Sequence, residues 1–247
     1  MLKVLFILTI VLEAVFVPIL LKYYWPTKCK QSLIFKTLSS TMFVLCGFLA
    51  MKISGNSSDY AYMILWGLIM GWVGDLFLHS LKNKMYHFAI GVVAFLAGHI
   101  FYIVGLQKAI DTAFPSEPTF AWHEYVFIAV VVITVVAILG IKGLFKKNGA
   151  ISIGLVAYGI ILSTMLAKAL RYAIGEIAYG TNDDMFMITV TVAIGALLFS
   201  VSDISLGFIL SSDNAKRGMR VFNIITYYVA QILLAASIFY VRSREFY

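Results

Sequence analysis

The chain has 247 residues, of which 62% are hydrophobic and 13% charged, and its formal net charge is +7 at pH 7. A soluble domain usually carries about 25% charged residues, because its water-facing surface must be polar. This composition excludes a soluble globular protein and predicts an integral membrane protein. The basic residues lie between long apolar segments, so we interpret the positive charge as a determinant of topology rather than as a nucleic-acid interface.

Eight apolar segments are long enough to cross a bilayer as helices. A spanning helix needs about 20 apolar residues, whereas a barrel strand alternates over about 10. The segments cover residues 2–21, 33–53, 61–81, 87–107, 122–143, 150–172, 185–210 and 219–240. The pattern predicts an all-α, polytopic membrane protein with eight transmembrane helices in one bundle. The connections are short, so we expect residues 1–247 to form a single transmembrane domain.

The distribution of basic residues predicts the orientation. Connections 1, 3, 5 and 7 carry 11 Lys and Arg residues, and the opposite side carries 6. Basic residues favour the cytoplasmic side of a membrane. We therefore expect the odd-numbered connections in the cytoplasm and both termini outside, in the cell membrane. The first segment contains Glu13 and is followed by no small-residue cleavage site, so we interpret it as a retained helix.

Twelve polar or titratable residues lie within these apolar segments. A charged side chain at the membrane centre costs roughly 2.5–3.5 kcal/mol, so each needs a partner, a cavity or a function. Counted from the predicted helix ends, nearly all lie in the cytoplasmic half, and only Lys168 is expected to extend to the outer surface. The residues are Glu13, Lys36, Asp75, His79, His99, Tyr102, Tyr158, Lys168, Asp203, Tyr227, Tyr228 and Gln231.

Two aspartates are the strongest candidates for chemistry. Asp75 and Asp203 each lie six or seven residues before the predicted cytoplasmic end of their helix, about 10 Å deep at 1.5 Å per residue. Glycines near both either let the two helices pack closely or leave space for a ligand. The pattern predicts a polar pocket that opens toward the cytoplasmic leaflet. Glu13 has a purely structural interpretation as an alternative to a functional one, an ion pair with Lys36. His79 has an alternative role as a residue at the membrane interface.

Known soluble-enzyme motifs are absent from the sequence, including the G-x-S-x-G elbow, H-E-x-x-H and the Walker loop. Asp75, Asp203, His79 and His99 are conceivable metal ligands. The two histidines, however, differ in predicted depth by about two helical turns or more, which disfavours one compact site. We therefore expect neither a metal nor another cofactor.

Four short motifs in chain order resemble the YhhN family, which includes the lysoplasmalogenases. They are W-G-L-I-M-G-W-V-G-D-L-F-L with Asp75, F-L-A-G-H-I-F-Y with His99 and Tyr102, I-G-A-L-L-F-S-V-S-D with Asp203, and T-Y-Y-V-A-Q with Gln231. The segments around Lys36 and Tyr158 are also similar. One departure is Thr37, since the family commonly has proline after the lysine.

The resemblance implies hydrolysis of the vinyl-ether bond of lysoplasmalogen, giving a fatty aldehyde and a glycerophospho-alcohol. Two carboxylates in different protonation states suit such acid/base chemistry. We predict Asp75, Asp203 and His99 as catalytic residues, and a lysophospholipid and water as partners within the membrane lipids. The predicted substrate-binding residues, with Lys36 near the headgroup phosphate, are Lys36, Tyr102, Tyr158, Tyr227, Tyr228 and Gln231.

Two other functions remain open from the residues. A proton-coupled transporter of a small molecule or lipid also uses buried Asp and His, and eight helices with a weak internal repeat suit one. A metal-dependent lipid hydrolase is the second alternative. Polar groups confined to one half of the membrane disfavour the transporter, because they leave no path through the other half.

Overall fold

The structure, a computed structural model, describes residues 1–24, 29–81, 84–141, 143, 149–179, 184–210 and 216–241. Within these ranges the elements are eight long helices without strands. They are α1 (Leu2–Tyr23), α2 (Lys30–Ser54), α3 (Asp59–Leu78), α4 (Met85–Ala113), α5 (Trp122–Ile141), α6 (Gly149–Tyr179), α7 (Met185–Leu210) and α8 (Arg217–Tyr240). All eight are long and apolar enough to cross a membrane. The predicted all-α, multi-pass membrane architecture is confirmed.

Three helices end at positions that differ clearly from the predicted ones. α4 extends six residues past its predicted end at 107, and α6 extends seven past 172. α3 instead ends at Leu78, three residues early; His79 still donates to the carbonyl of Asp75, and Ser80 then donates to the carbonyl of Phe77, three residues back, in a tighter turn. α7 contains a π-helical segment, Thr189–Ile194, between two α-helical ones.

Local capping explains where α2 and α3 begin and end. α2 starts with a capping box, in which Cys29 accepts from the N–H of Ser32 while the Ser32 hydroxyl accepts from the N–H of Cys29. It ends at Gly55, whose φ of 68° is the left-handed conformation that glycine adopts most easily. Ser58 then caps α3 by accepting from the N–H of Ala61. These caps separate two antiparallel helices with a short turn.

Six helices form a closed ring. Each of α2, α3, α4, α6, α7 and α8 packs on the next, and α8 packs back on α2. α8 also contacts α3 across the ring, whereas α1 lies outside against α2 and α8, and α5 lies outside against α6. The backbones of α3 and α7 do not approach each other within the described residues. The glycines near the two aspartates therefore do not bring these helices together, and the space between them is available for a site.

Lys168 does not extend to the membrane surface as expected. Its side chain is 1% exposed and pairs with the buried carboxylate of Glu124, with 3.1 Å between Nζ and Oε1. Arg171 pairs with the same carboxylate at 2.7 Å and donates to the Pro118 carbonyl at 2.7 Å. The Lys168 ammonium also donates to the carbonyl of Thr119. This cluster anchors the connection between α4 and α5, because the two basic side chains provide hydrogen-bond donors for the backbone carbonyls of Pro118 and Thr119.

Candidate functional site

A cavity of about 270 Å³ lies inside the helix ring. It sits near the end of the bundle at which α2, α4 and α8 begin and α3 and α7 end. Both predicted acids line this cavity. Its lining residues are Tyr24, Lys36, Asp75, Leu78, His79, Phe88, Phe95, Ser202, Asp203, Leu206, Ile209, Arg220, Asn223, Ile224 and Tyr227. The cavity lies where the sequence predicts a polar pocket.

This end of the bundle is the one predicted to face the cytoplasm, and that orientation stays a prediction. Several basic residues used to predict it lie outside the described residues, namely Lys28, Lys82, Lys142, Lys146, Lys147, Arg242 and Arg244. The equal depth predicted for the two aspartates rested on helix ends, and one of those ends is wrong. Asp75 lies three residues before the end of α3, whereas Asp203 lies seven before the end of α7. They share a cavity rather than a position relative to the helix ends.

Asp75 is buried beside a cation and a hydroxyl donor. Its side chain is 2% exposed, and its Oδ1 lies 2.7 Å from the ammonium of Lys36. Its other oxygen accepts a hydrogen bond from Ser40, one helical turn after Lys36 on the same face of α2. The Tyr228 hydroxyl lies 3.2 Å from the Ser40 hydroxyl and donates to the Lys36 carbonyl. A carboxylate with a cation and a hydroxyl donor is stable without water.

Asp203 has different partners. Its Oδ2 accepts from the Tyr158 hydroxyl of α6 and lies 3.3 Å from Nε2 of His99, a residue of α4. The other ring nitrogen of His99, Nδ1, is 2.7 Å from the carbonyl oxygen of Phe95. Because a carbonyl only accepts, Nδ1 carries a proton. Nε2 of His99 makes no hydrogen bond to a described residue, so it is available to water or a ligand beside Asp203.

A second polar layer lies behind the acids. The Tyr102 hydroxyl donates to Oε1 of Gln231 at 2.8 Å. The glycines of α3 make room for it, since a Cβ at Gly67 would come within 2.2 Å of the Tyr102 ring and one at Gly71 within 2.7 Å of the Gln231 amide. Nε2 of Gln231 and the hydroxyl of Tyr227 complete no hydrogen bond within the described part of the chain. These two unsatisfied groups are available to water or a ligand.

The expected ion pair between Glu13 and Lys36 is absent, because Lys36 pairs with Asp75 instead. Glu13 is 4% exposed, and neither of its carboxylate oxygens has a hydrogen-bond partner among the described residues. An ionised carboxylate there would lack both water and a donor. His79 lies at the end of α3, as an interfacial residue would, but its side chain is 2% exposed and its Nε2 is 2.8 Å from the Ser32 hydroxyl.

The structure thus brings the nine predicted site residues close together, but only some of them line the cavity. Lys36, Asp75, Asp203 and Tyr227 line the cavity, and the other five stand behind them. Sequence reasoning missed Ser40 and Arg220 as site residues. Ser40 follows Lys36 by four positions, a spacing that signals a shared helix face. Arg220 gave no such signal, because a basic residue near a predicted helix end reads as a topology determinant.

Metal ligands do not cluster in the described ranges, where no three His, Cys, Asp or Glu side chains come together as a metal site needs. The donors around the acids are instead an ammonium, hydroxyls and one imidazole.

Comparison with known families decides the classification. A model of the YhhN family matches residues 31–238, which is most of the chain. The chain belongs to the YhhN family. Neither a curated protein nor a solved structure matches it. The segment that matches the YhhN family begins after α1, so it contains all nine predicted site residues from Lys36 to Gln231 and excludes Glu13.

Proposed function

We propose that this YhhN-family chain is a membrane-embedded hydrolase that cleaves the vinyl-ether bond of lysoplasmalogen. The products are a fatty aldehyde and a glycerophospho-alcohol. Family membership supports a lysoplasmalogenase-like activity. The observation that carries the proposal is that two carboxylates line the same cavity and have unlike partners. Lys36 pairs with Asp75, and His99 lies beside Asp203.

The different partners support different roles for the two acids. Hydrolysis of a vinyl ether begins with proton transfer to the β-carbon, and Asp203, which lines the cavity beside His99, delivers this proton in its protonated form. The α-carbon then carries the positive charge of an oxocarbenium ion. Asp75, in its ion pair with Lys36 and its hydrogen bond from Ser40, supplies a fixed negative charge in the same cavity.

The remaining steps return Asp203 to its starting form. Water attacks the α-carbon and gives a proton to Asp203, with His99 beside it as the second base. The hemiacetal then collapses, with the ether oxygen taking the proton from Asp203 and the hemiacetal hydroxyl giving its proton back. The carbon–oxygen bond to glycerol breaks as the aldehyde forms, so one water is consumed and no other reactant is needed.

The test compares three single-chain lipids with purified protein: lysoplasmalogen, its saturated ether analogue and its acyl analogue. We expect aldehyde from the vinyl ether only, because the saturated ether has no double bond to protonate, and no fatty acid from the acyl lipid. Asp203→Asn should lower aldehyde release by about 10²–10⁴-fold, the usual effect of losing an acid/base group. Aldehyde release that persists in this variant, or its absence in the wild type, would overturn the proposal.

Asp59→Asn provides a matched control. Asp59 begins α3 at the opposite end from the cavity, its side chain is 70% exposed, and its contact with Lys108 lies at the surface. The substitution makes the same chemical change, so its activity should equal that of the wild type.

A further inference from the structure

Asn223 of α8 binds to α7 immediately before one of the two acids. Its Nδ2 donates to the carbonyl oxygen of Ser202 at 2.8 Å and to the Ser202 hydroxyl at 2.9 Å. That hydroxyl donates in turn to the backbone carbonyl of Asn223 at 3.0 Å. Ser202 belongs to α7 and precedes Asp203. These bonds hold α8 against α7 at the level of Asp203, and all three residues line the cavity.

The orientation of the Asn223 amide leaves its oxygen without a partner. A backbone carbonyl only accepts hydrogen bonds, so the amide atom that faces the Ser202 carbonyl is the nitrogen. The other branch of the amide is then Oδ1, which accepts no hydrogen bond from a described residue. The Ser202 hydroxyl, in contrast, both donates and accepts within the pair. The half-buried side chain of Asn223 therefore brings an uncommitted acceptor to the cavity lining.

An acceptor at this position suits the free hydroxyl of a single-chain glycerophospholipid. The ether oxygen is bound to the first glycerol carbon and the hydroxyl to the second, so only three bonds of about 1.5 Å each separate the two oxygens. When the ether bond lies beside Asp203, as the proposed function requires, the hydroxyl is within reach of a side chain bound to the preceding residue. It is also the one hydrogen-bond donor of a lysophosphocholine, because a phosphodiester and a trimethylammonium group have no N–H or O–H.

A two-chain lipid differs at this same carbon, where it has an ester. Ester oxygens only accept hydrogen bonds, so Oδ1 would face another acceptor and stay unpaired. A site built to bind a hydroxyl rejects an analogue without it more strongly than an apolar pocket rejects an added methylene. The cavity can thus distinguish the two lipid classes by a hydrogen bond as well as by size.

We infer that Asn223 is a specificity-determining residue for single-chain lipids. Its Oδ1 accepts a hydrogen bond from the free glycerol hydroxyl next to the scissile ether, while its Nδ2 holds the helix that carries Asp203. The inference rests on the proposed function for the identity of the lipid. It assigns selection for the hydroxyl to Asn223 and leaves the reaction to the two aspartates.

The experiment measures binding without hydrolysis, by calorimetric titration of detergent-solubilised full-length protein. The probes are a saturated alkyl lysophosphocholine, its 2-deoxy analogue, and its 2-methoxy analogue, which has the oxygen without the proton. We expect the lipid with the hydroxyl to bind about three- to tenfold more tightly than either analogue, the usual effect of one neutral hydrogen bond. Asn223→Ala should reduce this ratio to near one. Asn223→Asp should retain it, because a carboxylate oxygen also accepts from a hydroxyl although it cannot donate to Ser202.

Asn56→Ala is the matched control. Asn56 also donates two hydrogen bonds from Nδ2, to the backbone carbonyls of Ile238 at 2.8 Å and Val241 at 2.7 Å. It lies between the end of α2 and the start of α3, at the opposite end of the bundle from the cavity. The substitution should therefore lower stability to a similar extent as Asn223→Ala and leave the binding ratio unchanged.

The wild-type comparison is decisive without any variant: a ratio near one, or no measurable binding of the lipid with the hydroxyl, would overturn the inference. So would a retained ratio in Asn223→Ala that elutes as folded protein. Equal loss of the ratio in Asn223→Asp would assign the effect to the bonds with Ser202 and also contradict it. None of the probes is a vinyl ether, so a hydroxyl preference that depends on Asn223 stands even if no vinyl ether is cleaved. Aldehyde release from lysoplasmalogen tests the proposed function separately.

Discussion

Asp75 and Lys36 can be removed separately or together, which separates a structural role of the pair from a chemical one. Asp75→Asn leaves the Lys36 ammonium without its partner at 2.7 Å, in a place where it is 14% exposed. Breaking a buried ion pair from one side typically costs 3–5 kcal/mol, and the partial exposure of Lys36 places our estimate at about 3 kcal/mol. For a chain of this size, that corresponds to a fall in Tm of about 6–12 °C.

The double variant Lys36→Met with Asp75→Asn removes both charges, so most of the lost stability should return. Activity should not return, because the cavity then has no fixed negative charge to stabilise an oxocarbenium ion. The assay is thermal unfolding in detergent, together with aldehyde release from lysoplasmalogen, for the wild type, both single variants and the double variant. The reasoning is refuted if the double variant is no more stable than Asp75→Asn, or if it regains activity.

Four further predictions concern Glu13, the reactivity of Cys29, the orientation of the chain and the effect of chelators. Glu13→Gln should leave aldehyde release within about twofold and unfolding unchanged or higher, because the carboxylate has no hydrogen-bond partner to lose; a loss above about tenfold would place Glu13 in the site. The backbone N–H of Ser32 lowers the pKa of the Cys29 thiol, so its labelling by an impermeant maleimide should reach full rate at lower pH than that of an ordinary thiol. In intact cells Cys29 should be shielded from the impermeant maleimide, whereas Ser116→Cys in a Cys29→Ser background should be labelled. The reverse pattern would mean that the orientation is inverted. Cys46 is buried and should not react. Activity should survive chelators, and loss that added zinc restores would instead support the metal-dependent hydrolase.

Hydropathy predicts the eight helices because each crosses the membrane as a continuous apolar segment, a property of local composition. The ends are harder. α6 continues past 172 through Glu176, whose side chain is 3% exposed, and the ring of Phe114, at the end of α4, packs on Gly175. No hydropathy window contains that information.

Pairing between distant residues explains the errors in the site. Lys36 has two acids within plausible reach from sequence, Glu13 and Asp75, and only the packing of α2 on α3 decides for Asp75. Likewise Lys168 finds Glu124 across 44 positions, so a rule based on distance from the helix end assigns it to the surface. The polar residues that gather around the cavity are predictable because buried polar residues are rare in a membrane. Their partners are not, because partners depend on tertiary contacts.

The modest size of the cavity has a consequence for selectivity. A volume of about 270 Å³ is near the small end of the roughly 300–1,000 Å³ of ligand pockets, so the cavity suits a phosphate, a glycerol unit and a few carbons better than a whole lipid. We therefore expect the rest of a substrate's hydrocarbon chain to lie among the acyl tails of the leaflet, where the bilayer rather than the protein solvates it. Turnover of lysoplasmalogen should then vary little with chain length. A long-chain aldehyde would be released directly into the lipid phase, without passing through water.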